Sequence, residues 1–130
     1  MDLSSLKPVK ADEGSVMDVV HPETEEVIEG MSITLLGQDS SVYRKIQIGK
    51  QQAALNRMAK GKKALDLNAE KLVEDTIDDL VKMTVGWEGF TLEGKELKPT
   101  ADNVRKVYTE WPWIREQAQE FVNNRANFFR

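Results

Sequence analysis

The side chains that could carry out chemistry are few. His21 is the only histidine, and the chain has no cysteine. Any Ser/His/Asp arrangement would have to use His21, and the absence of cysteine excludes a cysteine-based zinc site. Because Pro22 follows His21, this histidine is predicted to lie in an exposed turn rather than in a cleft. We therefore expect a non-catalytic protein with no cofactor and no metal ligands.

A group of carboxylates on one predicted helix is the next candidate for a site. Its members are Glu70, Glu74, Asp75, Asp78 and Asp79. Spacings of three and four residues place side chains on neighbouring turns of a helix. However, the pattern contains neither the Asp-x-Asp-x-Asp-Gly loop of calcium sites nor the Glu-x-x-His pair of di-iron bundles. The favoured interpretation is a solvated acidic face.

A basic stretch precedes these carboxylates. No acidic residue occurs from Val42 to Leu65, which contains Arg44, Lys45, Lys50, Arg57, Lys60, Lys62 and Lys63. Such a surface could bind nucleic acid, but only Tyr43 is available for base stacking, and the net charge of the chain is −4. The favoured alternative is contact between the basic and the acidic helix, inside the molecule or with a neighbouring copy. A head-to-tail contact between subunits is the hypothesis that follows.

This candidate self-association or partner surface has ten members. They are Arg44, Lys45, Lys50, Arg57, Lys60, Glu70, Glu74, Asp75, Asp78 and Asp79.

The elements that would position this surface fit one domain, since the chain has 130 residues. We predict an α+β, mainly α fold, in which an N-terminal β-hairpin or small meander is followed by three to four helices. Residues 1–15 are predicted to be a flexible lead-in, and residues 16–130 a single mainly helical domain with a small β element. No stretch has the pattern of a secretory signal or the length of a membrane span, so no membrane is expected as a partner.

The strands are predicted on both sides of a turn at His21, with Gly30 marking a bulge or a break in the second. The first helix is predicted from Val42 to about Ala59, after a loop and cap over residues 37–41, where Asp39, Ser40 or Ser41 could cap the helix, and before a stop at Gly61.

Three further helices are predicted along the rest of the chain. The second begins after a cap at Asn68 and ends near Gly86; it has a broad buried face formed by Leu72, Val73, Ile77 and Leu80. A glycine-punctuated loop over residues 87–95 follows it. Thr100 caps the third helix, and Pro112 breaks that helix or starts the next one. The last helix is predicted over residues 113–129, with Phe121 and Phe129 on its buried face.

Several segments resemble the tail assembly chaperones of long-tailed bacteriophages of the lambda-like and HK97-like kinds. The resemblance rests on Val20-His21-Pro22-Glu23-Thr24-Glu25-Glu26, on Met31-Ser32-Ile33-Thr34-Leu35-Leu36-Gly37, and on Asp39-Ser40-Ser41-Val42-Tyr43-Arg44-Lys45. The loop Trp87-Glu88-Gly89-Phe90, the junction Trp111-Pro112-Trp113-Ile114 and the final Asn127-Phe128-Phe129 are also similar to that family. These motifs cover most of the chain from about residue 16, and none is diagnostic of a chemistry.

The resemblance implies a protein that acts in the host cytoplasm and is absent from the mature virion. It would coat the tape measure protein, recruit subunits of the tail tube protein and form homo-oligomers. In many phages of this kind, a translational frameshift adds a second domain to some copies, and codons for Phe128 and Phe129 could serve as the slippery site.

Two other functions remain open. One is a virion structural protein of the head-tail connector or tail terminator type. The other is a small nucleic-acid-binding regulator that uses the basic helix 42–63, although the acidic net charge argues against nucleic acid as a partner.

Overall fold

The computed structural model describes residues 2–60 and 69–129. The fold is mixed α+β and mainly α, as predicted. The described strands are β1 (Ser15–Val20), β2 (Val27–Leu35), β3 (Thr84–Glu88), β4 (Thr91–Leu92) and β5 (Lys95–Glu96). The described α-helices are α1 (Lys10–Glu13), α2 (Ser41–Ala59), α3 (Ala69–Met83), α4 (Ala101–Glu110) and α5 (Pro112–Asn123). Short 3-10 helices lie at Leu3–Leu6 and Arg125–Phe128.

The predicted hairpin is confirmed, with β1 and β2 antiparallel and Met17 opposite Ile33. A bulge interrupts their register beyond Asp18, in the part of β2 that contains Gly30. Gly89 packs against this bulge so closely that a Cβ on it would lie 2.1 Å from the carbonyl oxygen of Gly30. Because Gly89 also has a φ of +80°, glycine is required there on both steric and backbone grounds.

The second long helix ends earlier than predicted. Helix α3 stops at Met83, and the next residues form β3, which pairs with β2 through Ile33 and Trp87. The prediction of helix up to Gly86 and of loop from Trp87 was therefore wrong. The competing signal is the β-prone pair Thr84-Val85, which completes an antiparallel three-stranded sheet in the order β1-β2-β3.

The third predicted helix is confirmed as α4. Its cap is Thr100, whose side-chain oxygen accepts a hydrogen bond from the amide of Asn103 at 3.2 Å. Val104, Val107 and Tyr108 are buried. Pro112 is the first residue of α5, where its missing N–H costs no helical hydrogen bond.

The last helix is shorter than predicted, and this changes which aromatic side chain is buried. Helix α5 ends at Asn123, and a 3-10 helix over Arg125–Phe128 follows. The break changes the direction of the following side chains, so Phe128 is 1% exposed whereas Phe129 is 41% exposed. Phe128 packs against Gly37 and edge-on to Phe121, at 5.5 Å between ring centroids. The assignment of Phe129 to the buried face was wrong.

The N-terminal segment 1–15, predicted to be a flexible lead-in, packs against the domain over its second half. Ala11 is 1% exposed, and its carbonyl oxygen accepts a hydrogen bond from the amide of Gly37 at 2.9 Å. The carboxylate of Asp12 accepts one from the amide of Ser41 at 2.7 Å. Helix α1 therefore holds the start of α2 in place.

Tyr108 of α4 is a fully buried residue of the core. Its hydroxyl is 2.7 Å from the hydroxyl of Thr84. Since Thr84 donates its own proton to the carbonyl oxygen of Leu80 at 2.7 Å, Tyr108 is the donor in their shared hydrogen bond. Burial raises the pKa of the Tyr108 phenol to about 12.

A side chain from α5 occupies the outer edge of β1. The amide group of Gln117 accepts a hydrogen bond from the backbone N–H of Val20 at 2.9 Å and donates one to its carbonyl oxygen at 2.7 Å. Gln117 thereby satisfies both backbone groups of Val20 at the edge of the sheet.

Across residues 2–60 and 69–129, none of the helices is both long enough and apolar enough to cross a bilayer.

Candidate interaction surface

The predicted charged surface lies on α2 and α3, which lie side by side. The base of α2 is firmly fixed. The hydroxyl of Ser40 accepts a hydrogen bond from the amide of Tyr43 at 3.1 Å and donates one to the carbonyl oxygen of Gly37 at 2.6 Å. Together with the hydrogen bond from Ser41 to Asp12, these bonds satisfy the backbone amides of Ser41 and Tyr43 in the first turn of α2. They anchor the N-terminus of the helix to the rest of the domain.

The outer part of α2 behaves differently from its base. Ile46 is the last buried residue, and every residue from Ile48 to the C-cap at Lys60 is exposed. The N-terminal part of α3, from Ala69 to Glu74, is exposed as well. We call these two stretches, residues 48–60 and 69–74, the arm. The prediction that Leu72 and Val73 belong to the buried face of α3 was wrong, whereas Ile77 and Leu80 are buried as predicted.

The arm exposes five large apolar side chains. Their exposed fractions are 57% for Ile48, 60% for Leu55, 66% for Met58, 50% for Leu72 and 41% for Val73. Single exposed apolar residues are common on protein surfaces, whereas several in the same region are a common feature of interaction sites. The arm is therefore a candidate interaction surface.

Two ion pairs join the predicted acidic residues to cations of the same chain. Lys50 of α2 pairs with Asp79 of α3, which brings the basic and the acidic helix together inside the molecule. Asp78 pairs with Arg105 of α4. Both pairs are partly exposed to solvent, so each contributes at most about 1 kcal/mol and mainly sets the registration of the helices.

The other predicted members of the surface lie around the arm. Arg44, Lys45, Arg57 and Lys60 are exposed on α2 and at its C-cap; Glu70 and Glu74 are exposed on α3, where Asp75 is half-buried. Four residues of the predictions lie outside the described residues. They are Asn68, predicted as a helix cap, Gly61, predicted as a helix stop, and the two cations Lys62 and Lys63.

A groove of about 810 Å³ runs between α3 and α4. Val73 and Ile77 form its apolar floor, Glu70 and Glu74 lie along its α3 side, and Arg105 contributes from α4. Sequence reasoning assigned no role to Arg105, and it placed Val73 in the core. The one available signal for the groove was the repeat of Glu70, Glu74 and Asp78 at intervals of four, which places three carboxylates in a row.

His21 has a structural place in the β1–β2 turn. Its Nδ1 accepts a hydrogen bond from the amide of Glu23 at 3.1 Å, and its ring lies 6.4 Å from that of Trp113. Among the described residues, no cluster of three or more histidine or carboxylate side chains has the arrangement needed to hold a metal ion.

Comparisons of the chain with protein-family models, with curated proteins and with solved structures find no match.

Proposed function

We propose that this protein is a non-catalytic assembly chaperone for phage tails, which coats the tape measure protein and recruits tail tube subunits in the host cytoplasm. The observation that supports the proposal is the arm, which exposes apolar side chains on both α2 and α3. A protein that keeps an elongated helical client soluble must present apolar surface that the client covers. The resemblance of the turn, strand and helix-opening segments to tail assembly chaperones supplies the identity of the client.

We propose that the client binds at the outer end of the arm. Met58 lies in the last turn of α2 and Leu72 in the first turns of α3, and both are at least half exposed. Replacing them with polar side chains removes apolar contact with a bound client. It removes little packing from the folded chain.

Co-expression with the products of neighbouring genes, followed by affinity capture of this chain, tests the proposal. The native chain is expected to retain the long helical client in the soluble fraction. The double variant Met58→Gln, Leu72→Gln is expected to reduce client capture at least about tenfold, because interface side chains of this size contribute on the order of 1–2 kcal/mol each.

Val85→Gln is the matched control, since Val85 is 57% exposed on β3, away from the arm. It should leave client capture unchanged. Failure of the native chain to capture any neighbouring product would refute the proposal, as would equal capture by the native chain and the double variant.

Absence from the finished particle is the second part of the proposal. Mass spectrometry of purified virions should detect the tail tube protein and not this chain. Its detection at stoichiometric amounts would favour the connector or terminator reading instead. The translational frameshift stays a prediction that the gene decides, through a slippery heptamer at the codons for Phe128 and Phe129 and an overlapping downstream frame.

A further inference from the structure

We propose that the β4–β5 hairpin and the junction of α4 and α5 form a second binding site, which takes a proline-rich segment that carries an arginine. None of the residues that line this site belongs to α2 or α3. The site is therefore separate from the arm, and it does not depend on the client proposed above.

Two adjoining cavities make up the site. The smaller, of about 140 Å³, is lined mainly by apolar side chains of β2, the hairpin, α4 and α5. The larger, of about 250 Å³, is lined by the end of β3, the hairpin and the segment that leads into α4. Phe90, Thr91 and Leu97 line both cavities, so the two share a wall.

All three tryptophans of the chain line this site. Trp111 and Trp113 border the smaller cavity, Trp87 borders the larger one, and each of the three is half-buried. Aromatic walls are characteristic of grooves that bind proline-rich segments, which are already extended before binding and so lose little conformational entropy. The concentration of indole rings therefore favours an occupant of this kind.

The shared wall is held by contacts within the chain. The rings of Trp87 and Phe90 are stacked, with 4.4 Å between their centroids. The indole N–H of Trp87 donates a hydrogen bond to the carbonyl oxygen of Leu97 at 2.7 Å, and the amide of Leu97 donates one to the carbonyl oxygen of Phe90 at 2.9 Å. The site is thus formed before any partner arrives, which lowers the cost of binding.

Two carboxylates determine the charge of the occupant. Glu88 and Glu96 line the larger cavity, and both are exposed. Neither forms an ion pair with another described residue, and no described lysine or arginine lines either cavity. Arginine suits such a cavity, because its planar guanidinium both pairs with carboxylates and stacks on aromatic faces.

The geometry of a polyproline helix allows one segment to reach both cavities. Side chains three residues apart lie on the same side of such a helix, roughly 9 Å from each other along its axis. An apolar side chain can therefore enter the smaller cavity while an arginine three residues away enters the larger one.

Titration with a synthetic peptide tests the proposal. The probe is a blocked ten-residue peptide of prolines that contains one leucine and, three residues away, one arginine. It has no aromatic residue, so a change in the tryptophan fluorescence of the chain reports binding at the site that the three indoles line. The native chain should bind this peptide saturably.

Two further peptides test the chemistry of the occupant. A peptide with glutamate in place of the arginine should bind at least about tenfold more weakly, because its carboxylate would meet those of Glu88 and Glu96. A flexible glycine-serine peptide with the same leucine and arginine should also bind at least about tenfold more weakly, because it must be ordered on binding.

Variants of exposed residues locate the site without disturbing the core. The double variant Glu88→Gln, Glu96→Gln should weaken binding of the arginine peptide about fivefold or more, since each exposed ion pair contributes a factor of up to about five. Glu93→Gln is the matched control, because Glu93 is exposed on the same hairpin and lines neither cavity. Thr91→Arg should prevent binding, because Thr91 lies in the shared wall opposite Glu96 and the new guanidinium would take the place of the arginine of the peptide.

Any of several results would overturn the inference: no saturable binding of the arginine peptide, equal affinity for either of the other two peptides, or binding as tight as native by the double variant or by Thr91→Arg. Each of these is measured without a client protein. They are therefore distinguishable from a failure of the chaperone proposal, which is measured by client capture through Met58 and Leu72.

Discussion

The neighbouring phenylalanines near the end of the described chain provide a sensitive test of the fold. Phe128 is 1% exposed, with its ring over Gly37, where a built Cβ would lie 2.9 Å from the nearest ring carbon. Removing a buried phenylalanine ring leaves a cavity and costs about 3–5 kcal/mol. Phe129 is 41% exposed, and its removal should cost about 1 kcal/mol or less. The two variants Phe128→Ala and Phe129→Ala should therefore differ by about 3 kcal/mol in the free energy of unfolding.

Urea unfolding followed by tryptophan fluorescence measures this difference. A loss of about 4 kcal/mol is a large part of the free energy of unfolding of a domain of this size. With a slope of about 2 kcal/mol per molar urea, this loss lowers the urea midpoint by about 2 M. Phe129→Ala serves as the control because it removes the same side chain one residue away. If α5 continued as a regular helix to Phe129, the order of the two variants would be reversed. That reversal, or equal midpoints, would refute the description of the C-terminal 3-10 helix.

Two further predictions concern the core and the sheet. Because the folded-state pKa of Tyr108 is raised from 10.0 to about 12, the neutral phenol is favoured in the folded state; the stabilisation is complete below pH 10 and is lost as the pH rises from 10 to 12. The loss amounts to about 3 kcal/mol, at roughly 1.4 kcal/mol per pH unit. In Tyr108→Phe the urea midpoint should fall less steeply between pH 10 and pH 12 than in the native chain. Equal dependence of the midpoint on pH in the two proteins would contradict this prediction. Gly89→Ala should destabilise the chain by at least about 3 kcal/mol through strain and a clash with Gly30, whereas Gly94→Ala, at the same φ of +80° but with open space around it, should cost only about 1 kcal/mol; equal thermal stability of the two variants would count against the packing described.

The parts of the fold that were predictable from sequence carry strong local signals. The cap at Ser40, the cap at Thr100 and the turn at His21 each lie where side-chain chemistry places them, and the mainly α class follows from the helical periods. A local hydrogen bond is visible in sequence because its partners are two or three residues apart.

What escaped prediction depends on distant partners. Thr84 and Val85 became a strand because β2 offered an edge some fifty residues earlier, and sequence periodicity does not contain that pairing. Leu72 has the spacing of a buried position, yet it is 50% exposed, whereas Ile77 and Leu80 further along α3 are buried. The charges of the candidate surface were found from sequence, but the groove that they border required knowledge of how α3 meets α4.

The side-chain amide of Gln117 determines whether the β1 edge can pair with another chain. An unpaired strand edge is a template on which another chain can polymerise by backbone hydrogen bonds. At Val20 that template is already occupied, by a side chain that mimics the donor and acceptor of a neighbouring strand. An incoming strand would have to displace Gln117, so the β1 edge is closed to pairing at this position. Growth of the sheet through β1 at this position therefore requires both Gln117 hydrogen bonds to break first.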